Sequence, residues 1–325
     1  MKQNYNKYLL ITLCITFLMM LGTALFIYFV DPNQIYHKHN TYVGNQRYEI
    51  AGIARNHDYD AAIIGSSMCM NHYPEQVDSL FGWKTKNFSM MGITHDEYNI
   101  FLPYLIRQGK VKNIIFGIDL FSFISELGAI PKELYDDNIW NDISYLLSYK
   151  GLEQTIKYLR NPKDEKNLYH FNSPVKEAEV IKDYKEVESQ QPKIYNYQDI
   201  IKNFNNHVLP HIKSSPKQIK WYIYWPPYNI GEFTLMQKQE QLESALKAKE
   251  YITQQLLKLP NVEIYDFQKE PLITKMDEFM DLRHHSHKYN RLIIESINKK
   301  NYLVKLDSIE NCNVAIKKLS GLYNF

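Results

Sequence analysis

Beyond residue 60 the chain alternates short apolar runs with longer segments of helical periodicity. The apolar runs AAIIG (61–65), VKNIIFGID (111–119), QIKWYIYW (218–225) and NVEIYDF (261–267) read as strands, and so does the mixed run KTKNFSM (84–90). Short continuous apolar runs suit strands covered on both faces. Between them, YPEQVDSLF (73–81) and THDEYNIFLPYLIRQG (94–109) read as helices. Thr94 with Glu97 three residues later matches a capping box, while Pro103 counts against an unbroken helix there. Residues 232–259 read as one long helix, and 286–301 as a helix opened by Ser286. A shorter helix over 45–58 carries Ile50, Ile53 and Ala54 on one face. Strands alternating with helices imply βαβ units, a parallel sheet and an α/β fold.

Two regions break this rhythm. Residues 125–215 are charged and irregular, and read as an insertion of helices and loops in the body, either a cap over a site or a solvated excursion. Residues 8–30, YLLITLCITFLMMLGTALFIYFV, carry no charge. As a helix this run spans roughly 35 Å, enough to cross a bilayer. A cleaved signal peptide is the rival, but Gly22-Thr23-Ala24 is a poor cleavage site because Leu25 to Val30 continue the apolar run. With Lys2 and Lys7 before the run and Asp31 after it, the positive-inside tendency leaves the N-terminus in the cytoplasm. The expected organisation is therefore a cytoplasmic tail (1–7), a single transmembrane anchor (8–30), a juxtamembrane linker and helix (31–57), and an extracytoplasmic domain (58–325) holding the 125–215 insertion.

Composition narrows this picture only slightly. Apolar residues make up 45% and charged residues 23%, so the chain has enough apolar side chains for a packed core. A net charge of +2 gives no support to nucleic acid as a partner. The 26 tyrosines hint weakly at carbohydrate contacts. The three cysteines, Cys14, Cys69 and Cys312, form no C-x-x-C pair, so neither a zinc ribbon nor a thioredoxin-type site is indicated. Cys69 and Cys312 could pair only if the fold brings them together.

In an open parallel sheet, ligands bind beyond the carboxyl ends of the strands. Gly65-Ser66-Ser67, the segment Ser89 to Gly92, Asp119, and Pro226-Pro227 followed by Tyr228 all stand at such ends, and the last strand leads to EFMDLRHHSHKYN. A serine hydroxyl is a weak nucleophile until a base removes its proton, and histidine is the usual base. The histidine needs a carboxylate on its second nitrogen, and Asp281 with His284 supplies both groups from one loop. The plainer readings are a tight turn for Ser66 and Ser67, and a helix-entry carboxylate with a surface histidine for Asp281 and His284. His285 and His287 read as solvated or supporting, with a metal site from this cluster as a further alternative.

DYDAAIIGSSM, NFSMMGIT, WPPYN and DLRHH together make the chain resemble the SGNH (GDSL-like) hydrolase superfamily, whose sheet is flavodoxin-like and doubly wound. It is closest to the membrane-anchored bacterial branch that includes the D-alanyl-lipoteichoic acid transfer protein and alginate-type O-acetyltransferases. The resemblance covers roughly residues 58–125 and 215–300. It implies Ser67 as nucleophile, Asp281 and His284 as its partners, and an oxyanion hole from the N–H groups of Ser67 and Gly92. No cofactor or metal is implied. The expected activity is cleavage or transfer of an acyl ester on an envelope glycan or teichoic-type polymer, alone or beside a multi-span membrane O-acyltransferase. One position departs from the pattern: Asp119 stands near the place where the superfamily has a donor Asn. An ionised carboxylate cannot donate to an oxyanion, so either Asp119 points elsewhere, or another donor such as Ser122 or the Ser89 hydroxyl substitutes. Ser66 takes the place of the superfamily's usual Asp beside the nucleophile.

Overall fold

In the computed structural model, all five candidate runs become strands of one sheet, the mixed run 84–90 included: β1 (Ala61–Gly65), β2 (Thr85–Asn87), β3 (Asn113–Gly117), β4 (Lys220–Trp225) and β5 (Val262–Asp266). Their order is β2-β1-β3-β4-β5, and every neighbouring pair is parallel. Residues 2–126, 128–136, 138–164, 175–191, 193–305 and 309–323 are described. The side chain of Cys312 lies outside them, and Cys69 is a free, buried thiol. The chain forms two units, Met1–His57 with Ile130–Tyr169, and Asp58–Ala129 with His170–Phe325. The insertion expected over 125–215 is thus shared between the units rather than belonging to one.

The second unit holds the sheet, with helices packed on both faces. Ile63, Ile115, Tyr224 and Tyr265 share a buried cluster with Val77 of helix Pro74–Phe81 and with Ile293 and Ile297 of helix His287–Asn298. On the other face, Phe116 meets Tyr98 of helix His95–Arg107 edge-on at 5.3 Å. There Trp225 also donates its indole N–H to Thr253 of helix Leu242–Leu257 at 3.0 Å. Burial on both faces explains why the inner strands β1 and β3 are continuously apolar instead of alternating, while the edge strand β2 (Thr85–Asn87) is polar.

Two helices differ from their expected form. His95–Arg107 runs unbroken through Pro103, because the Thr94–Glu97 capping box and the buried face of Tyr98, Phe101, Leu102 and Leu105 hold it. The single helix expected over 232–259 is two, Ile230–Lys238 and Leu242–Leu257. Glu240 turns left-handed (φ 58) while Gln241 N–H donates back to Met236 C=O at 2.7 Å, a closing bond that ends the first helix.

In the first unit, helix Lys2–Val30 contains a 26-residue stretch, Tyr5–Val30, long and apolar enough to cross a membrane. The chain then folds back at Asp31, whose carboxylate accepts the N–H groups of Ile35 and Tyr36 at 2.8 Å and of His37 at 2.6 Å. Asn33 ties this turn to residues from the later segment, donating to the Tyr145 hydroxyl (2.7 Å) and Gln154 (2.5 Å). A short antiparallel ribbon pairs Thr41–Tyr42 with Lys163–Asp164. Helix Gln46–Asn56 completes the linker and buries Ile50, Ile53 and Ala54.

Candidate active site

The order of the sheet places β1 and β3 side by side while their connections leave toward opposite edges, the point beyond whose strand ends parallel sheets characteristically form a crevice. Gly65 and Gly117 face each other there in register. Gly65 takes a φ of +147, and a Cβ on it would lie 2.3 Å from Cys69 Sγ; a Cβ on Gly117 would lie 2.2 Å from the same sulfur. The missing side chains let the short helix Ser67–Met70 seat Cys69 directly on the strand ends. Ser66 caps that helix, its hydroxyl accepting from Met68 N–H at 3.3 Å. Ser67 therefore occupies the first helical position, part-buried at the edge of the crevice.

From the other side of the crevice comes a tight loop. Phe279 bridges to His285, and Met280 N–H donates to His284 C=O at 2.8 Å. Asp281 Oδ1 accepts the N–H groups of Arg283 (2.7 Å) and His284 (2.6 Å), while Oδ2 lies 2.6 Å from His284 Nδ1. His284 Nε2 lies 2.9 Å from Ser67 Oγ, across 217 residues of sequence. Ser67, His284 and Asp281 are thus brought together in one hydrogen-bonded line. Burial alone would raise the Asp281 carboxyl, but the bond and charge of His284, with the two backbone N–H groups, hold it below the usual carboxylate range.

The floor of this arrangement was not legible from motifs. Asn87, the last residue of β2, donates its amide to the carbonyls of Cys69 (3.0 Å), Met70 (3.3 Å) and His72 (3.1 Å). It clamps the carboxyl end of the helix that begins with Ser67. The only signal in the sequence is an Asn at a strand end, just before FSMMG. Beneath the helix, Tyr224 OH contacts Cys69 Sγ at 3.1 Å and His72 Nε2 at 2.7 Å. Burial pushes the Cys69 thiol up to about 12, so it stays an unreactive packing group.

Asp119 is turned inward. Its carboxylate accepts from Ser66 Oγ (2.8 Å), Tyr228 OH (2.7 Å) and Phe121 N–H (2.8 Å), the last capping the turn Leu120–Phe123. Ser66 is therefore engaged in capping and in this bond. Gly92 sits in the turn Met90–Ile93 with a φ of +60, and that segment is tied to β1 by Met90 N–H donating to Gly65 C=O at 3.0 Å. The N–H groups of Ser67 and Gly92 donate to no acceptor among the described residues. The Ser89 hydroxyl is buried and likewise has no partner among the described residues, while the buried Ser122 hydroxyl faces that of Tyr98. His285, expected at the surface or in support, is buried, and burial lowers it to about 4. The ring of His287 lies against Tyr73 at 5.5 Å.

A cleft of about 230 Å³ opens beside the loop, reaching Asp281 and His284, with Ser67 outside its lining. Lys193 and Tyr195 from the insertion and Arg283 and Glu232 from the body line it. Arg283 donates to Glu232 at 2.9 Å, and both Arg283 and Lys193 lie over the Phe121 ring, at 5.4 and 3.9 Å. One group among the described residues has metal-ligand geometry, His95, Asp96 and His207, with ligand atoms within 4.8 Å of one another. It stands apart in sequence from the Asp281–His287 cluster. Compared with models of known families and with curated proteins, the chain matches none.

Proposed function

We propose that this protein is a membrane-anchored, extracytoplasmic SGNH-type serine esterase or O-acyltransferase acting on an acyl ester of a cell-envelope polysaccharide or teichoic-type polymer. The observation that carries the reading is the line from Ser67 Oγ through His284 to Asp281, at 2.9 and 2.6 Å. The parallel strand order β2-β1-β3-β4-β5 supports it, since Ser67 follows β1 at the point where that order reverses, and parallel sheets bind ligands at such points. The apolar Tyr5–Val30 helix supports the anchor.

In this reading His284 Nε2 takes the Ser67 proton as the oxygen attacks the ester carbonyl. The resulting oxyanion accepts from the N–H groups of Ser67 and Gly92. The intermediate collapses when His284 returns the proton to the leaving alcohol, and an acyl-serine remains. Water or a sugar hydroxyl then loses its proton to His284, attacks the acyl carbon and frees Ser67. Asp281 stays ionised throughout, keeps the ring proton on Nδ1, and stabilises the imidazolium formed in each step. Asp119 takes no part, because its oxygens are engaged by Ser66, Tyr228 and Phe121.

The test is turnover of a 4-nitrophenyl acyl ester by the purified full chain and by Ser67→Ala. Loss of several orders of magnitude supports the reading, and equal turnover overturns it. A second reading, a non-catalytic scaffold assisting a multi-span acyltransferase, draws on the inward-turned carboxylate at the place of a third oxyanion donor. Complementation of a deletion strain separates the two, since a scaffold tolerates Ser67→Ala.

A further inference from the structure

Within the first unit, the helix Tyr149–Arg160 is built the wrong way round for a soluble protein. Its inward positions, Gly151, Gln154 and Thr155, are small or polar and buried. Its apolar residues Tyr149, Leu152, Ile156 and Leu159 recur at i, i+3, i+7 and i+10, which places them on one stripe. That stripe faces outward, with Tyr149 81% and Leu159 58% exposed. Lys150, Glu153, Lys157 and Arg160 form a charged stripe beside it. Just before this helix, Trp140 is 83% and Ile143 58% exposed, and Ile139 is bare as well. No water-facing role accounts for so much adjoining apolar surface.

The anchor tells what covers it. Helix Tyr149–Arg160 packs on the last turns of the anchor: a Cβ on Gly151 would lie 3.2 Å from Ile27 Cδ1, and Ile27 is fully buried. The apolar stretch Tyr5–Val30 has 26 residues and rises about 39 Å, against a hydrocarbon core of about 30 Å. The uncharged run ends at Asp31, the first charged residue after Lys7, so the last turn of the anchor meets the headgroup layer, and so does whatever packs on Ile27. An amphipathic helix with an aromatic and aliphatic stripe and basic flanks suits that layer, where tryptophan and tyrosine concentrate.

We propose that residues 139–160 form a second, interfacial membrane contact, with Trp140, Tyr149, Ile156 and Leu159 immersed in the leaflet where the anchor emerges. The occupant is lipid, on whichever side that end of the anchor lies. The contact would fix the first unit against the bilayer surface instead of leaving it on a swivel. It does not depend on the ester chemistry proposed above.

The test uses the purified full chain in phosphatidylcholine nanodiscs, with Trp140 emission obtained as the difference between wild type and Trp140→Phe. Lipids carrying a nitroxide at acyl carbon 5 should quench most of that emission, those with it at carbon 12 should quench less, and aqueous acrylamide should reach it poorly. Ile156→Glu with Leu159→Glu changes only outward-facing positions. It should abolish the nitroxide quenching and restore acrylamide access while the thermal melt stays in place. Free acrylamide access in the wild type overturns the proposal. So does shielding from acrylamide without nitroxide quenching, which would mean that a second copy of the chain covers the stripe.

Discussion

Asp281→Asn separates a positioning carboxylate from a merely structural one. In the native loop, Oδ1 accepts two backbone N–H groups, from Arg283 and His284, and Oδ2 faces His284 Nδ1 at 2.6 Å. An asparagine keeps its carbonyl oxygen on the two backbone donors, so the loop holds its shape. Its amide N–H₂ then faces Nδ1, and two donors cannot share that contact. The imidazole must move its proton to Nε2, the atom 2.9 Å from Ser67 Oγ. The ring now donates to the serine when it should accept from it, and also loses the charge that stabilises an imidazolium. A tautomer error of this kind costs about 10⁴ in kcat, roughly 5.4 kcal/mol at about 1.36 kcal/mol per decade. The assay is ester turnover by the purified variant with its thermal melt in parallel. The expected result is a kcat collapse with KM and Tm nearly unchanged. A loss below about tenfold would refute the assignment of Asp281 as the group that orients His284.

Other perturbations probe the surroundings. Asn87→Ala strips the clamp from the helix that starts at Ser67; its two amide hydrogens serve three carbonyls, so the cost should be about 2–4 kcal/mol at about 1–3 per unsatisfied buried group, read by urea unfolding, with ester turnover falling too. Asp119→Asn should cost about 1–3 kcal/mol and leave turnover no higher, because its carboxylate meets three donors; a gain in turnover would mean that this position is waiting for an oxyanion donor. His72 and His285 are buried and lowered to about 3 and about 4, in each case first by burial. The unfolded chain binds protons below about pH 6.5 that the folded chain refuses, so each should remove about 1.4 kcal/mol per pH unit from there down to its folded value. His285→Phe should flatten that acid slope in urea titrations, and an unchanged slope would contradict the assignment.

Much of this was legible because it is local. Apolar runs marked Ala61–Gly65 and Asn113–Gly117 most plainly, because those strands are buried on both faces, whereas Thr85–Asn87 at the sheet edge is polar throughout and was marked only by the mixed run 84–90. Asp281 and His284 stand out because a carboxylate and an imidazole three residues apart can meet within one turn. Other features depend on register. Asn87 reaches the Ser67 helix only because it pairs beside Ile63 in the sheet, and nothing in its neighbours announces that pairing. The break at Glu240 carries no glycine or proline to mark it, and comes from a non-glycine residue turning left-handed. The grouping of residues 130–164 with the anchor is likewise tertiary. It follows from contacts such as Asn33 with Tyr145 and Gln154, more than 110 residues away. The outward stripe of 149–160 is visible in the sequence as periodicity, but only the structure shows which way it faces.

If Ser67 is a nucleophile made reactive by His284, a serine-directed electrophile should capture it covalently. The purified full chain is exposed to a fluorophosphonate and digested, and the adduct is located by mass spectrometry. One adduct should form on Ser67, absent in Ser67→Ala and strongly slowed in His284→Ala. Equal labelling of the Ser67→Ala protein, or an adduct on Ser66 in the wild type, would contradict it.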